Sequence, residues 1–347
     1  MAWPGSRYYT DAMLRFLLRT ILLLAAAAPA AAQSVAPNAI ELPAWFSDSF
    51  LDLRDDVREA ARADKRLMLY FGQDGCPYCK ALIQTNFTQP QIADKARRHF
   101  VALALNIWGD REVTWFDGRT MREKEFAQFL KVQFTPTLVF FDERGEVAAR
   151  LNGYYPPHRF EAALDYVAGR MEGKTTLGEY LRSHVRDAAS ETLHDEPFFM
   201  RPPYDLRRGK AAKPLAVVFE TPFCSGCDEM HREGFRRPEV KAQLAKFDVA
   251  RISLLENEKI ITPDGKTVPA SEFARLLNIA YTPSIVFFDR SGREVFRIEA
   301  YLRPFHLAGS FDYVSSGAYA TQPSFQRFLQ AKTERLRERG EPVDLWR

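Results

Sequence analysis

Short apolar runs alternate with amphipathic segments along the chain, and this alternation predicts a mixed α/β protein. Residues 67–71, 100–107 and 137–141 are nearly continuous apolar runs of the length expected for buried strands. Segments such as 124–132 and 157–171 instead place apolar residues three and four positions apart, which is the spacing of an amphipathic helix. Strands that alternate with such helices are typical of a sheet with helices packed on its faces.

The second half of the chain repeats the first. Residues 134–142, Phe-Thr-Pro-Thr-Leu-Val-Phe-Phe-Asp, return 147 positions later as Tyr-Thr-Pro-Ser-Ile-Val-Phe-Phe-Asp at 281–289. A repeat of this length indicates a duplicated domain and not a solenoid. We therefore predict two domains, over residues 44–171 and 214–340, joined by a linker at 172–213.

Three segments near the domain ends carry their own expectations. Residues 44–65 are predicted to form the first helix, with Phe50 on its apolar face. Residues 194–214 are rich in proline and are expected to cross the surface, with the basic run at 207–210 in solvent. Residues 323–339 are predicted to form an amphipathic helix that the first half lacks.

The N-terminal 32 residues have the pattern of a secretory signal peptide. Arg7, Arg15 and Arg19 precede the apolar residues 21–28, and small residues follow up to Ala32. The apolar core is shorter than the roughly 20 residues that span a membrane, which favours a cleaved signal over an uncleaved anchor. The pattern predicts cleavage after Ala32 and, for a bacterial host, a periplasmic protein.

Composition and charge narrow the classes of function. The 347 residues are 46% hydrophobic and 27% charged, which is typical of a soluble globular protein. The net charge is only +3, and three arginines and one aspartate in residues 1–32 contribute +2 of it. A nucleic-acid-binding protein usually has a stronger basic balance, so we expect no nucleic-acid partner.

All four cysteines belong to two Cys-x-x-Cys pairs, Cys76/Cys79 and Cys224/Cys227. Each pair follows an apolar strand and opens a predicted helix. The unpaired N–H groups and the dipole at a helix N-terminus favour thiolate at the first cysteine. The second cysteine is close enough to displace a bound partner. This chemistry is thiol–disulfide exchange, and it requires no metal, nucleotide or flavin because the cysteines carry the electrons.

A Thr-Pro sequence follows each cysteine pair at nearly the same distance. Pro136 lies 60 residues after Cys76, and Pro283 lies 59 residues after Cys224. Each proline stands at the start of an apolar strand, where its missing N–H is tolerated. A cis peptide bond is open to proline at such a position.

The order of these elements resembles the thioredoxin fold. In both halves a strand leads into a Cys-x-x-Cys helix, then a further strand and helix, then a Thr-Pro hairpin and a closing helix. The resemblance implies two thioredoxin-like domains, each with a mixed central sheet flanked by helices. It also implies that Pro136 and Pro283 are cis and lie beside the cysteines.

The resemblance assigns a role to each motif residue. The first cysteine of each pair attacks a substrate disulfide, and the second cysteine resolves the mixed disulfide. The threonine and proline of each Thr-Pro turn face an extended substrate. The implied site residues are Cys76, Cys79, Cys224, Cys227, Thr135, Pro136, Thr282 and Pro283.

Four stretches of the first half look more narrowly like the periplasmic SoxW-type thioredoxins. They are residues 75–80, 106–110, 134–137 and 153–154. This resemblance implies protein disulfides or thiols as substrates, with a membrane thiol transporter as the electron donor. It favours a reductase of periplasmic disulfides over an oxidase.

Two departures from thioredoxin concern the surroundings of the cysteines. The tryptophan before the first cysteine is replaced by Gly75 and Phe223. The buried acid nine residues before the second cysteine is replaced by Tyr70 and Val218. The usual proton acceptor is therefore either absent or supplied by another part of the chain.

The residues around the two pairs also predict a division of labour. Pro77 constrains the first helix turn and Lys80 favours the thiolate of Cys76. The second pair encloses Ser-Gly and precedes two acidic residues, Asp228 and Glu229, which oppose a thiolate at the second site. We expect Cys76 to be the faster nucleophile, with the second site as a slower relay or a docking domain.

Two other functions remain open from the sequence. The duplicated fold could hold a partner without redox activity. The two pairs could instead bind zinc through four thiolates, with His231 as a further candidate ligand.

Overall fold

Each of the two predicted domains has a four-stranded mixed sheet at its centre. The computed structural model describes residues 39–209, 213–343 and 345, so the predicted signal peptide at 1–32 lies outside the described residues. From Ile40 onward the chain forms one compact body that contains both domains.

The first domain begins with a helix and then alternates strands and helices. Its strands are β1 (Arg66–Gly72), β2 (Phe100–Asn106), β3 (Glu112–Thr114), β4 (Thr120–Arg122), β5 (Thr137–Phe141) and β6 (Val147–Asn152). Its helices are α1 (Leu53–Arg62), α2 (Pro77–Ala81) with a π-helical continuation (Leu82–Asn86), α3 (Pro90–His99), α4 (Glu123–Phe129), α5 (Pro157–Ala168) and α6 (Leu177–His184).

The main sheet of the first domain has the order β2-β1-β5-β6. Strand β2 is parallel to β1, whereas β5 is antiparallel to β1 and β6 is antiparallel to β5. Every residue of β1 is buried. Because successive side chains point to opposite faces, Met68 packs into one core and Leu69 into the other.

The second domain repeats this order. Its strands are β7 (Leu215–Glu220), β8 (Asp248–Ser253), β9 (Lys259–Ile261), β10 (Thr267–Pro269), β11 (Ser284–Phe288) and β12 (Glu294–Ile298). Its helices are α7 (Ser225–Glu229) with a π-helical continuation (Met230–Gly234), α8 (Pro238–Leu244), α9 (Ala270–Leu276), α10 (Pro304–Ser315), a 3₁₀ turn (Ala318–Ala320) and α11 (Phe325–Glu338).

The main sheet of the second domain has the order β8-β7-β11-β12, with the same strand directions as the first. Two apolar cores cover its faces, as in the first domain. The predicted fold class, two mixed α/β domains with helices around a central sheet, is confirmed.

The first helix begins later than predicted. Helix α1 starts at Leu53 because the Asp52 side chain accepts a hydrogen bond from Arg54 N at 3.1 Å and caps the helix. Phe50, predicted to lie on the buried face, is fully exposed. The residues from 39 to 51 form no helix and bond to neighbouring strands instead; for example, Thr114 N donates to Leu51 O at 2.8 Å.

The segment predicted as a surface linker, residues 172–213, is largely packed against the domains. Helix α6 lies within it. Farther along, Met200 N donates to Val249 O and Leu206 N donates to Ile261 O, both at 2.8 Å. The burial of five apolar side chains also holds this segment against the domains. These side chains are Leu177, Leu181, Phe199, Tyr204 and Leu206.

Of the basic run at 207–210, the structure describes residues 207–209, and these are only partly in solvent. Arg207 is exposed and pairs with Asp205 at 2.5 Å. The side chain of Arg208 is 5% exposed and pairs with Asp248 at 2.6 Å, where the expectation was a solvated charge. Asp248 begins β8, so this ion pair fastens the segment to the sheet of the second domain.

The C-terminal helix α11 has a counterpart in the first half, contrary to the expectation. Leu177 and Leu181 on α6 are buried, and they lie 148 positions before the buried Phe325 and Leu329 on α11. The equivalence is hidden in the sequence because α6 has 8 residues and α11 has 14.

The domain interface is built from equivalent aromatic residues. Phe134 packs against Phe296 of the second domain, with ring centroids 5.6 Å apart. Its counterpart 147 positions later, Tyr281, packs against Tyr155 of the first domain at 4.4 Å. Each domain therefore inserts the residue before its Thr-Pro turn into the core of the other.

Equivalent residues also touch each other directly. Asn152 Nδ2 donates a hydrogen bond to Glu299, which is its own counterpart in the repeat. A Cβ placed on Gly153 would lie 3.3 Å from the Cβ of its counterpart Ala300. Contacts between equivalent positions are the mark of a two-fold interface, so the two domains are related by a pseudo-two-fold axis near these residues.

None of the helices in the described ranges has the length and apolar character needed to cross a membrane.

Candidate redox sites

The first cysteine pair lies where the central strand β1 passes into helix α2. Cys76 is the N-cap of α2, and Cys79 N lies 3.1 Å from Cys76 Sγ. The two cysteines form a disulfide. Pro77 occupies the first turn of the helix, where its missing N–H leaves no bond unmade. Cys76 is 5% exposed and Cys79 is fully buried.

The first Thr-Pro turn lies directly beside this pair. Cys76 Sγ is 3.3 Å from the carbonyl oxygen of Thr135 and 3.3 Å from its Oγ1. The Thr135–Pro136 peptide bond is cis, which confirms the prediction for this turn. The structure therefore brings together the first cysteine and the turn that the sequence singled out 59 positions away.

A glutamine that the sequence analysis missed connects this turn to the rest of the site. Gln73 Nε2 donates to Thr135 Oγ1 at 3.1 Å and to Gln326 Oε1 of α11 at 3.0 Å. Trp108 Nε1 in turn donates to Gln73 Oε1 at 2.6 Å. Only Trp108 carried a sequence signal, as part of the SoxW-like stretch at 106–110.

The second domain also contacts Tyr78, one of the two residues between Cys76 and Cys79. Tyr78 OH accepts a hydrogen bond from Arg303 N at 2.7 Å. Its ring centroid lies 5.2 Å from that of His306 on α10. Burial raises the pKa of Tyr78 well above its ordinary value, so the side chain is a neutral phenol at neutral pH.

The second pair has the same local geometry. Cys224 is the N-cap of α7, Cys227 N lies 3.1 Å from Cys224 Sγ, and the two cysteines form a disulfide. The Thr282–Pro283 bond is cis, as predicted. Thr282 Oγ1 lies 3.1 Å from Thr221 Oγ1, which precedes the pair.

Gly226 takes the place in the second pair that Tyr78 holds in the first. A Cβ on this glycine would lie 3.0 Å from Pro283 Cδ. A contact this short leaves little space for a side chain, so a glycine fits here. The second pair therefore lies close against its own cis-proline.

An acidic residue from the predicted linker caps the second helix. Asp187 accepts hydrogen bonds from Ser225 N at 3.1 Å and from Ser225 Oγ at 2.7 Å. It also pairs with Arg159 at 3.0 Å and with His158 at 2.6 Å. Burial raises the pKa of Asp187, but the hydrogen bonds from Arg159, Ser225 and His158 outweigh it and hold the pKa well below its usual range. A carboxylate is thus held at Ser225, the residue that follows Cys224.

The two acidic residues that follow the second pair have partners of their own. Asp228 Oδ1 lies 2.6 Å from His194 Nε2, and its Oδ2 accepts a hydrogen bond from Ser190 N at 2.9 Å. Glu229 pairs with Arg303 at 2.9 Å. Arg303 therefore offsets the charge of Glu229, as Arg159 partly offsets that of Asp187, and Asp187 is the carboxylate that accepts hydrogen bonds from Ser225 at the start of α7.

His231 is enclosed by carboxylates instead of cysteines. Its Nε2 lies 2.8 Å from Glu220 Oε1 and its Nδ1 lies 3.0 Å from Glu196 Oε1. Burial lowers the pKa of His231, but the two carboxylates outweigh burial and raise it above its ordinary value. Both ring nitrogens of this candidate zinc ligand are thus occupied. Across the described residues, no group of three or more histidine, cysteine or acidic side chains is placed to hold a metal ion.

The positions of the missing thioredoxin acid are apolar or aromatic in the structure. Tyr70 is 4% exposed, and burial raises its pKa far above the neutral range, so it cannot accept a proton at neutral pH. Val218 is fully buried. Glu220 lies on the same strand two residues after Val218, with its carboxylate turned to His231.

The chain has two mixed α/β domains, and in each a disulfide-forming Cys-x-x-Cys pair stands at a helix start with a cis-proline turn beside it. These features define a protein of the thioredoxin-fold class. The chain belongs to the thioredoxin-like domain family, whose family model matches residues 53–168 and 207–315. These two matches confirm the two thioredoxin-like domains predicted from the sequence. The narrower SoxW-type resemblance stays a prediction.

Solved structures of bacterial proteins are similar to parts of the chain. A thioredoxin-fold protein from Helicobacter pylori is 28% identical with a TM-score of 0.33, over 40% of this chain and 86% of its own. A thioredoxin from Thermus thermophilus is 24% identical with a TM-score of 0.28, over 37% and 88%. A disulphide-isomerase candidate from Bacteroides thetaiotaomicron is 24% identical with a TM-score of 0.29, over 39% and 98%. A comparison with curated protein sequences finds no match.

Proposed function

We propose that this protein is an exported thiol–disulfide oxidoreductase that reduces disulfides of periplasmic proteins. The observation that carries the proposal is the position of Cys76 Sγ, 3.3 Å from the Thr135 carbonyl and at the start of α2. A nucleophile there meets a substrate disulfide held along the cis-proline turn. The family supports this reading, since both of its matches contain a complete cysteine pair.

The chemistry proceeds in two exchanges. The Cys76 thiolate attacks one sulfur of the substrate disulfide, that bond breaks, and the other substrate sulfur leaves and takes a proton from solvent. The Cys79 thiolate then attacks Cys76 Sγ and releases the second substrate sulfur. Two electrons pass to the substrate, and the Cys76–Cys79 disulfide closes. A dithiol donor restores the reduced pair, for which we propose a membrane thiol transporter.

The helix start contributes to the first exchange. Cys79 N lies 3.1 Å from Cys76 Sγ, so a backbone N–H faces the sulfur. An N–H at this distance, together with the helix dipole, stabilises the thiolate over the thiol. Lys80 adds a positive charge one residue after the pair. We propose that the first pair performs most of the exchange and that the second pair is a slower relay.

The proposal is tested by the reduction of insulin with dithiothreitol as the dithiol donor. We expect the wild-type protein to accelerate insulin reduction and the Cys76→Ser variant to lose most of that activity. Cys224→Ser is the matched variant, and it should keep most of the activity. A wild-type protein that neither accelerates reduction nor changes its free thiol count by mass after dithiothreitol treatment would be a binding module without redox activity.

A further inference from the structure

A cavity of about 470 Å³ lies between the first cysteine pair and the second domain. Cys76 and Thr135 line one side, and residues of α10 and α11 line the other. This volume is in the range of sites for small organic molecules, about 300–1,000 Å³. The first cysteine of the first domain therefore faces a partly open cleft and not a flat surface.

The wall formed by α11 is fixed to the first domain. Gln326 accepts a hydrogen bond from Gln73 at 3.0 Å and donates one to Gln133 O at 3.0 Å. Phe325, at the start of the helix, is fully buried. Cys76 itself is 5% exposed. The docked α11 and the low exposure of Cys76 favour a small disulfide over a folded protein on this side.

A buried imidazole in the cavity lacks a partner. The Nδ1 atom of His306 is buried and has no hydrogen-bond partner among the described residues. Burial lowers the pKa of His306 to about 4, so the ring is neutral at neutral pH. Native proteins leave few buried polar atoms unbonded, because each one destabilises the folded state. His306 lines the cavity, so a turn of its ring can bring Nδ1 to a ligand there.

Charges of both signs surround the cavity. Arg337 lines it together with Asp74 and Glu334. These three side chains form no ion pair with any residue in the described ranges, although Glu334 accepts a hydrogen bond from Gln330 at 3.0 Å. One unpaired cation and two unpaired anions complement a molecule that carries both carboxylate and ammonium groups.

We propose that this cavity is a binding site for a low-molecular-weight disulfide of the amino-acid type, with Cys76 at the reactive sulfur and His306 and Arg337 as polar contacts. The proposal rests on the proposed oxidoreductase function and adds a second substrate class to the first site. The residues of the second domain then determine which disulfides reach Cys76.

The reaction balances in the same way as for a protein disulfide. Reduced Cys76 attacks one sulfur of the small disulfide, and the first small thiolate leaves and takes a proton from solvent. Cys79 attacks the mixed disulfide and the second small thiol leaves. One disulfide becomes two thiols, the cysteine pair is oxidised by two electrons, and an external dithiol reduces it again.

The test uses the full chain with Cys224→Ser and Cys227→Ser, so that the first pair is the only dithiol. The reduced protein is mixed with cystine, with the neutral bis(2-hydroxyethyl) disulfide, or with insulin, and closure of the Cys76–Cys79 disulfide is followed by acid quench and alkylation. We expect the reaction with cystine to be faster than that with insulin. Filling the cavity with Gln330→Trp should slow the reaction of the cysteine pair with both small disulfides.

Two substitutions test the polar contacts. His306→Phe should slow the reaction with cystine about tenfold, as expected for one lost hydrogen bond to a charged group, and leave the neutral disulfide less affected. Arg337→Glu should slow cystine about threefold, in the range of exposed charge pairs. Arg335→Glu, on the same helix but away from the cavity, is the matched control and should change neither rate.

The outcomes separate the two proposals. If insulin reacts as fast as cystine, and neither Gln330→Trp nor His306→Phe changes the cystine rate, the cavity is not a substrate site but the oxidoreductase function stands. If the reduced pair reacts with none of the three disulfides, the proposed function itself is wrong.

Discussion

At the scale of single residues, the first cysteines of the two pairs differ mainly in the charge at their helix starts. Cys76 faces the N–H of Cys79 and has Lys80 nearby. Cys224 has the same N–H contact, but Asp187 occupies the start of its helix through Ser225. A carboxylate at a helix start reduces the stabilisation that the helix dipole gives to a nearby thiolate, with an effect of about 0.3–1 kcal/mol.

We predict that iodoacetamide alkylates Cys76 faster than Cys224 in the reduced protein at neutral pH. Removing the anion with Asp187→Asn should speed alkylation of Cys224 by about twofold to fivefold, the factor that corresponds to that energy. The exposed Asp195, which pairs with Arg201, provides the control variant Asp195→Asn. Peptide mapping measures both rates. Equal or faster modification of Cys224 in the wild-type protein would contradict the division of labour.

The cluster around His231 predicts a pH dependence of stability. The folded pKa of His231 lies above its ordinary value of about 6.5 because Glu220 and Glu196 contact the ring. The folded state therefore holds the proton more tightly than the unfolded state. The stabilisation is fully present below about pH 6.5 and is lost as pH rises through the folded pKa.

We expect the free energy of unfolding to fall over that rise in pH, as measured by urea denaturation at a series of pH values. His231→Gln, which cannot titrate, should remove the part of this pH dependence of the unfolding free energy that comes from His231. The exposed His184 stacks on Tyr180 and supplies the control His184→Gln, which should retain the pH dependence. A slope that is unchanged in His231→Gln would show that another group causes it.

The sequence alone could predict the cysteine pairs and both Thr-Pro turns, because residue type and spacing identify these motifs. It could not predict Gln73, Asp187 or His306 as parts of the sites. Gln73 meets Thr135 across 62 positions, and Asp187 meets Ser225 across 38. A polar side chain carries no signal of a partner that only the folded chain brings near it.

At the scale of elements, the equivalent helices α6 and α11 tie the two halves together. Gly178 on α6 lies so close to Ala280 that a Cβ would be 2.7 Å from the Ala280 carbonyl oxygen. Gln326 on α11 bonds to Gln133, the counterpart of Ala280 in the repeat. Each helix therefore docks on the segment just before the other domain's Thr-Pro turn.

We predict that Gln326→Ala lowers the free energy of unfolding by about 1–3 kcal/mol, because hydrogen bonds to Gln73 and to Gln133 are lost. Gln330→Ala on the same helix loses only an exposed bond to Glu334 and should change stability by less than about 0.5 kcal/mol. Urea denaturation compares the two variants. Equal effects would mean that the contacts of α11 with the first domain contribute little.

Strand and helix types were predictable from apolar periodicity, but several boundaries were not. Helix α1 begins at Leu53 because the Asp52 side chain caps it, although apolar spacing continues back towards residue 44. The prolines between 194 and 214 predicted a surface linker, and the residues described in that range contain no helix. The prolines could not show that Tyr204 and Leu206 are buried against the second domain, since burial depends on the neighbouring strands.

At the scale of the whole molecule, the pseudo-two-fold interface makes one body of two similar domains. The residues before both Thr-Pro turns, Phe134 and Tyr281, are buried in the opposite domain. The duplication itself was visible in the sequence. The interface was not, because the apolar side chains that form it look like ordinary core residues of their own domains.

Truncating this contact should destabilise the whole body. We predict that Phe134→Ala lowers the free energy of unfolding by about 3–5 kcal/mol, the range for a large buried aromatic residue. The matched control is Phe50→Ala, because Phe50 is fully exposed and its loss should be nearly neutral. Calorimetry follows both variants. A small effect of Phe134→Ala would mean that the two domains are stable independently of their interface.

The central claim, that this chain is a reductase with two redox-active pairs, is tested most directly by the reduction potential of each pair. The first pair is measured in the Cys224→Ser/Cys227→Ser variant and the second in the Cys76→Ser/Cys79→Ser variant, by equilibration with dithiothreitol or glutathione buffers. The account predicts that both pairs titrate as two-electron couples. It also predicts that the first pair lies nearer the about −270 mV of thioredoxin than the about −120 mV of a strong periplasmic oxidant. A first pair near −120 mV, or one that does not titrate, would contradict it.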